Sequence, residues 1–356
     1  MEGWIYFMIE KNRRGFLTGL AAAGVAGAVS GCLSGGGRLQ WKSDIGPAGP
    51  VHPHREADTT QNDTSPIYVG ADGTLHAILD GDSVWTYEDF DGVVPHRPVY
   101  REDGLYVSPR GGGVHAVDTE GTRRWVFDRA ETGTPYPNGD YVYAFGGGTL
   151  SVLNREDGSV SETVETDVEG TADVTVDSSR VYLTTQNQVV ALDYGTHKRR
   201  WTHEIRPGTE IVRSFEGVIL SSAEIGGIAD VDPLSGDIDW SGSHPVSTPT
   251  YYRTNQRAYV TERERPIVAS VDREGNRAWQ TELENVEDPA QLSRPAPGPE
   301  SVYVLDRDGD RLYAVSRPDG TPEWSASIDA STRTYPSVGL HSVYVPTESG
   351  VIAIKS

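Results

Sequence analysis

The stretch that decides the fold is Ala116-Val117-Asp118-Thr119-Glu120-Gly121-Thr122-Arg123-Arg124-Trp125. It holds a small residue, an acid two positions on, then a glycine, then a tryptophan four residues after the glycine. The frame returns, one residue longer, in Ala269-Ser270-Val271-Asp272-Arg273-Glu274-Gly275-Asn276-Arg277-Ala278-Trp279, and its second half in Pro318-Asp319-Gly320-Thr321-Pro322-Glu323-Trp324. Working outward, Trp41, Trp85, Trp125, Trp201, Trp240, Trp279 and Trp324 are spaced 44, 40, 76, 39, 39 and 45 residues apart. The interval of 76 is two periods with one tryptophan missing, and Glu162 in Asp157-Gly158-Ser159-Val160-Ser161-Glu162 stands at the vacant position. A fixed period near 40 residues means one supersecondary unit used repeatedly.

Upstream of each tryptophan lies a Val/Tyr-rich run, a turn, and a second run ending in a small residue and an acid. Gly104-Leu105-Tyr106-Val107 precedes Val114-His115-Ala116-Val117-Asp118; Arg180-Val181-Tyr182-Leu183 precedes Val190-Ala191-Leu192-Asp193; Ser301-Val302-Tyr303-Val304 precedes Leu312-Tyr313-Ala314-Val315-Ser316. Short alternating runs of this kind are strands, and the Asp-Gly and Gly-Gly pairs between them supply tight hairpins. Gly 40 and Pro 22 interrupt helices throughout, so almost no helix is expected. Units of three or four strands repeated every 40 residues are propeller blades. Strand pairs begin near Ile67, Leu105, Val142, Val181, Val218, Ala258, Val302 and Val343. The last lacks a tryptophan strand, while Arg38-Leu39-Gln40-Trp41-Lys42 lacks partners before it. The expectation is therefore an all-β, eight-bladed propeller, closed by the N-terminal strand pairing with the C-terminal blade. Seven blades is the alternative, with one unit a decoration.

A flat indole at one height in each blade fills the gap between neighbouring sheets, burying up to about 250 Å². The small residues Ala116, Ala191, Ala229, Ala269 and Ala314 are expected to let the next indole lie close. Asp118, Asp193, Asp232 and Asp272 are expected to accept turn amides ahead of the glycine. These are scaffold roles.

The chain has 356 residues, Lys+Arg 31 against Asp+Glu 52, and a net charge of -21. That balance argues against a nucleic-acid surface, which is basic. Only Lys11, Lys42, Lys198 and Lys355 are lysines; every other basic residue is arginine. An acidic, lysine-poor composition resembles that of haloarchaeal proteins, in which molar salt, with a Debye length of about 3 Å, screens self-repulsion. The only cysteine is Cys32, so an intrachain disulfide or a multi-cysteine metal site cannot form.

The N-terminal segment reads as an address. Asn12-Arg13-Arg14-Gly15-Phe16-Leu17 followed by an apolar stretch resembles a twin-arginine export signal carried by Arg13 and Arg14. Val29-Ser30-Gly31-Cys32 resembles a lipobox, which makes Cys32 the lipidation site. Domains follow: 1–31 signal, 32–37 lipidated cysteine and Gly-rich tether, 38–356 propeller. The signal also reads naturally from Met8.

The phrase Ala-x-Asp-x-x-x-Gly-x-x-x-Trp resembles the tryptophan-docking motif of the pyrroloquinoline quinone (PQQ) repeat superfamily over 38–356. That superfamily includes PQQ-dependent alcohol dehydrogenases and BamB-like lipoproteins, and the short, cysteine-anchored chain looks like the second kind. The resemblance implies for the dehydrogenases a calcium-bound PQQ, a catalytic Asp and a ring of two adjacent cysteines. Cys32 alone cannot make that ring, and no Asp carries over, so no catalytic residue, no cofactor (neither PQQ nor calcium) and no metal site is assigned.

Other constellations are weaker. Asp306-Arg307-Asp308-Gly309-Asp310 resembles a calcium loop, but Arg311-Leu312-Tyr313 reads as a returning strand, so a plain hairpin is expected. His52-Pro53-His54 lacks a third ligand. Asn62-Asp63-Thr64 is a glycosylation sequon at Asn62. Arg97, Arg213, Arg294 and Arg333 stand where the chain enters a blade, at a channel mouth that would suit a carboxylate or an acidic peptide. The alternative is pairing with neighbouring acids such as Glu210 or Asp173. The expected function is a non-enzymatic, monomeric, lipid-anchored scaffold on the extracellular face of the cell membrane, binding a cell-surface protein or peptide and no nucleic acid. The alternatives are a quinoprotein-type enzyme or cofactor binder, and a sensor for an anionic small ligand.

Overall fold

The computed structural model describes residues 37–52, 65–89, 97–110, 112–129, 132–205, 212–213, 218–222, 227–242, 250–252, 257–272, 274–332 and 334–356. Arg13, Arg14, Cys32, His54, Asn62 and Arg333 lie outside them. Among the described residues one 3-10 turn, Pro289–Gln291, is the only helical element. Everything else regular is antiparallel sheet.

Sheet 1 holds Ile67–Ala71, Thr74–Leu79 and Asp82–Tyr87. Sheet 2 holds Val99–Arg101, Gly104–Val107, Val114–Val117 and Arg123–Phe127. Sheet 3 holds Tyr136–Asn138, Tyr141–Gly146, Thr149–Asn154 and Val160–Glu165, and sheet 4 Asp173–Val176, Arg180–Thr184, Gln188–Asp193 and Arg199–Glu204. Sheet 5 holds Val212–Arg213, Val218–Ser222, Gly227–Val231 and Ile238–Gly242, and sheet 6 Thr250–Tyr252, Arg257–Thr261, Ile267–Val271 and Arg277–Glu282. Sheet 7 holds Ala296–Pro297, Ser301–Asp306, Arg311–Ser316 and Pro322–Ser327. Sheet 8 takes Ser337–Val338, Ser342–Pro346 and Val351–Lys355 from the C-terminus and Leu39–Lys42 from the N-terminus.

Leu39 is opposite Ile354, Trp41 opposite Ala353 and Lys42 opposite Ile352. Sheet 1 has three strands, and residues 48–52 run along its edge: Gly49 and His52 donate N–H to the Gly70 and Tyr68 carbonyls at 2.8 Å.

First strands of successive sheets touch, as in sheets 2, 3 and 4 and again in sheets 5 to 8. They form the inside, and the fourth strands the exposed edge; Val160–Glu165 is largely solvent-facing. Each of eight apolar clusters draws on two sheets that follow one another. Tyr143, Phe145, Leu150, Val181 and Leu183 join sheets 3 and 4. Ile67, Val69, Ile78 and Val351, with half-buried Trp41 and Tyr344, join sheets 1 and 8. Burying such side chains stabilises by about 1.5–3 kcal/mol each.

Within a sheet the second, third and fourth strands present Tyr, a small residue and Trp side by side. Tyr106 is opposite Ala116 and Ala116 opposite Trp125; Tyr182, Ala191 and Trp201 repeat it, as do Tyr303, Ala314 and Trp324. The tyrosine and indole centroids are then 5.8 Å apart across sheets 1, 2, 7 and 8, and 5.9 Å across sheets 4 and 6. This differs from the sequence expectation. The alanine makes room for the aromatics of its own sheet, and Ala229 and Ala269 are one residue off the position: Asp230 and Ser270 face Trp240 and Trp279.

Candidate functional site

The docking turns explain the repeat. Asp118 Oδ1 accepts the Glu120 and Thr122 amides at 3.0 and 2.7 Å, Asp232 Oδ1 those of Leu234 and Ser235 at 2.8 and 2.7 Å, and Asp272 Oδ1 those of Glu274 and Asn276 at 3.1 and 2.8 Å. Each turn receives the indole of the preceding sheet. The Nε1 of Trp85, Trp125, Trp201 and Trp279 donates to the carbonyls of Thr119, Arg155, Pro233 and Arg317 at 2.9–3.1 Å. The ring lies on the turn's glycine. A β-carbon at Gly121, Gly158, Gly236, Gly275 or Gly320 would come within 2.5–2.8 Å of Trp85, Trp125, Trp201, Trp240 or Trp279. Trp324 meets Gly37 in the same way, at 2.8 Å, whereas Trp41 comes only to 3.3 Å of the same point on Gly81. These seven tryptophans are thus structural. The Trp41 junction is the loosest, and a cavity of about 360 Å³ beside it is lined by Gln40, Ile67, Asp80 and Tyr344 among others.

Where the tryptophan is missing, the junction is rebuilt. Glu162 Oε1 is 3.1 Å from His197 Nδ1 in the next turn. His197 occupies the glycine position and keeps its left-handed backbone, φ 52. Its β-carbon leaves no room for an indole. Tyr194 of the same turn meets Tyr143, hydroxyl to hydroxyl at 3.2 Å, and supplies the aromatic contact instead.

The candidate binding site is the inner strands and the segments leading into them. Arg97 is exposed two residues before Val99–Arg101. Arg213 lies in Val212–Arg213; its side chain is outside the described residues. Arg294 precedes Ala296–Pro297, and its guanidinium carbon is 3.4 Å from the centroid of Tyr335, which leads into sheet 8. Arg294 therefore ties two neighbouring lead-ins. Arg333, Glu210 and the Arg213 side chain lie outside the described residues; Asp173 Oδ1 accepts the Thr134 amide at 2.8 Å.

Aromatic partners are what sequence reasoning missed. Arg101 lies 5.7 Å from the Tyr136 ring, and its guanidinium donates to the Pro137 carbonyl of sheet 3 at 3.2 Å. Tyr100 stacks on Tyr68 at 5.5 Å and 13°, with His52 at 6.1 Å on Tyr100. Burial, with Tyr100 and Glu120 nearby, pushes the Tyr68 hydroxyl up to about 12, so it is a neutral donor at ordinary pH. The available signal was a tyrosine within three residues of the inner strands of sheets 2, 3, 6 and 8. Stacking engages the face of a guanidinium, whereas carboxylates bind its edge. Both terminal nitrogens of Arg101 donate to backbone carbonyls, of Tyr100 at 2.8 Å and of Pro137 at 3.2 Å. His52 sits in the sheet-1 edge, and among the described residues no three His, Cys, Asp or Glu groups form a metal cluster.

A salt-bridge knot lies between sheets 2 and 3. Asp103 accepts from Arg124 Nη1 at 2.6 Å, Tyr106 Oη at 2.6 Å, Arg155 Nε at 3.0 Å and Arg155 Nη2. Burial alone would raise the Asp103 carboxyl, but hydrogen bonds from Arg155, Tyr106 and Arg124 outweigh it and hold it far below the usual range.

The family model described as outer membrane protein assembly factor BamB matches residues 25–242 and 263–355. No curated protein matches the chain closely enough to count as a relative. Among solved structures, BamB from Moraxella catarrhalis is similar at a TM-score of 0.63 and 17% identity, over 86% of this chain and 98% of that one. The computationally designed Ika8 protein gives 0.71 and 14%, over 90% and 99%. The quinohemoprotein alcohol dehydrogenase from Comamonas testosteroni gives 0.65 and 13%, over 89% and 76%. At these identities the likeness shows the fold alone, a β-propeller; the PQQ-like repeat rests on the family model.

Proposed function

We propose a function from one premise: the chain belongs to the family described as outer membrane protein assembly factor BamB. The reading is a lipid-anchored scaffold that binds a protein or peptide and catalyses nothing. Its eight sheets are the blades of one eight-bladed propeller, and Leu39–Lys42 on Val351–Lys355 closes it. The observation that carries the binding role is the pair of arginine–tyrosine contacts at the inner strands and their lead-ins, Arg101 on Tyr136 and Arg294 on Tyr335. On a chain of net charge -21, cations held at the inner strands stand out as a recognition feature for an acidic, extended segment.

The export and anchoring readings support the same role. Arg13 and Arg14 direct export, and Cys32 carries the lipid that holds the propeller outside the cell membrane. A quinone cofactor does not fit the residues present: one cysteine cannot supply the adjacent-cysteine ring that the PQQ enzymes use.

The experiment is crosslinking capture from native membranes at high salt, with wild type beside Arg101→Ala/Arg294→Ala. A partner retained by wild type and lost by the variant is the expected result. Capture of the same proteins by both, or tight stoichiometric binding of PQQ with calcium in an absorbance titration, would overturn the reading.

A further inference from the structure

The hairpin joining the second and third strands of sheet 7 gathers carboxylates that the fold does not neutralise. Asp306 is opposite Arg311 in register, and Arg307-Asp308-Gly309-Asp310 makes the turn between them. The flanking arginines point elsewhere: Arg307 Nε donates to the Gln291 carbonyl at 2.9 Å and Arg311 Nη1 to Ser325 Oγ at 3.1 Å. Asp306 is 1% exposed. Its Oδ1 accepts the Gly309 amide at 3.1 Å, while its buried Oδ2 meets no donor among the described residues. A β-carbon on Gly309 would collide with that oxygen, so Oδ2 lies over the turn.

Asp310, at φ 42, contributes a second buried oxygen without a donor, Oδ1. The segment leading into sheet 8 reaches this turn: the Ile328 N–H donates to the Asp310 carbonyl at 2.6 Å, and the Thr332 backbone N–H favours the charged form of the Asp310 carboxyl, against its burial. Thr332 is 7% exposed, and its Oγ1 is a third buried oxygen without a partner. The negative charges of Asp306, Asp308 and Asp329 all act on Asp310. Leaving buried carboxylate oxygens unpaired costs more than a hydrogen bond returns.

From sequence this loop reads as a plain hairpin; the burial of its acids and the arrival of Thr332 from the next sheet are what the sequence does not display. An all-oxygen set of two carboxylates and a hydroxyl is what a hard cation takes, with water completing its shell. We propose that Asp306 Oδ2, Asp310 Oδ1 and Thr332 Oγ1 form a binding site for a calcium-class cation that pins sheet 7 to the lead-in of sheet 8. The site is independent of the protein-binding reading.

The test is thermal unfolding of the full chain in molar NaCl with EDTA, CaCl₂ or MgCl₂, alongside Tb³⁺ luminescence sensitised by nearby tyrosine. Calcium is expected to raise the wild-type Tm saturably, by about 3–6 °C, and to displace Tb³⁺. Asp306→Asn and Asp310→Asn should abolish the rise, and Thr332→Val should raise the half-saturating concentration about tenfold. Asp319→Asn, in an exposed docking turn, should keep the full response. Equal Tm in EDTA and calcium, an equal response to magnesium at the same concentration, or a full response in Asp310→Asn would overturn the site.

Discussion

At Gly320 the backbone stands at φ 78, and a β-carbon there would come 2.5 Å from Trp279. Gly139, at φ 58, has nothing within 4 Å of the same point. Both lose left-handed freedom on substitution, but only Gly320 also displaces an indole. Gly320→Ala should therefore destabilise by about 1–3 kcal/mol more than Gly139→Ala, read from denaturant midpoints in high salt. Asp103 gives a pH-dependent counterpart. Its carboxyl is depressed in the folded chain, so its contribution is present above the unfolded value of about 4 and is lost as pH falls through the folded value. The stability gap between wild type and Asp103→Asn should be full at pH 7 and narrow steadily below pH about 4. A gap that stayed constant down to acid unfolding would show that the knot with Arg124 and Arg155 does not act through charge. The docking aspartates and the offset of the turn glycines were legible at this scale, since they depend only on residue type and spacing; that each glycine seats the indole of the preceding sheet was not. The partners of Arg101 and Arg294 were not, because Tyr136 and Tyr335 come from the next sheet.

One strand position, Glu162, shows how the element level departs from the repeat. Its lack of tryptophan was plain from the spacing. The compensation was not, because His197 and Tyr194 sit a whole blade away and a histidine at φ 52 gives no sequence signal of its own. The small-residue position was also misplaced in two sheets. There the alanine stands three residues before the turn aspartate, Asp232 or Asp272, instead of two, so the residue after it, Asp230 or Ser270, takes the place opposite the tryptophan. The rebuilt junction predicts strong coupling. Glu162→Trp alone should destabilise, since the His197 β-carbon blocks the indole. Glu162→Trp with His197→Gly should recover stability, with a coupling of about 1–3 kcal/mol in a double-mutant cycle. Additive effects would mean that the two positions do not share one slot.

For the whole molecule, 52 acidic against 31 basic residues set the conditions under which the fold holds. Screening shortens from about 10 Å at 0.1 M salt to about 3 Å at 1 M. The Tm should accordingly rise over that range, and a flat profile would show that self-repulsion is unimportant. Membrane fractionation of Cys32→Ser should find the chain released, in contrast to wild type. Most of the architecture was readable in advance because it repeats; residues 48–52 along the edge of sheet 1 were not, since they match no repeat phrase. The account rests on the two ends of the propeller meeting. Its most direct test places Leu39→Cys and Ile354→Cys, opposite one another in register, in a Cys32→Ser chain and oxidises it. Directly opposed residues have β-carbons about 4.5–5.5 Å apart, within reach of a disulfide after slight adjustment. A rapid intramolecular crosslink in the folded monomer is the predicted result. Two free thiols, or crosslinks only between chains, would contradict closure.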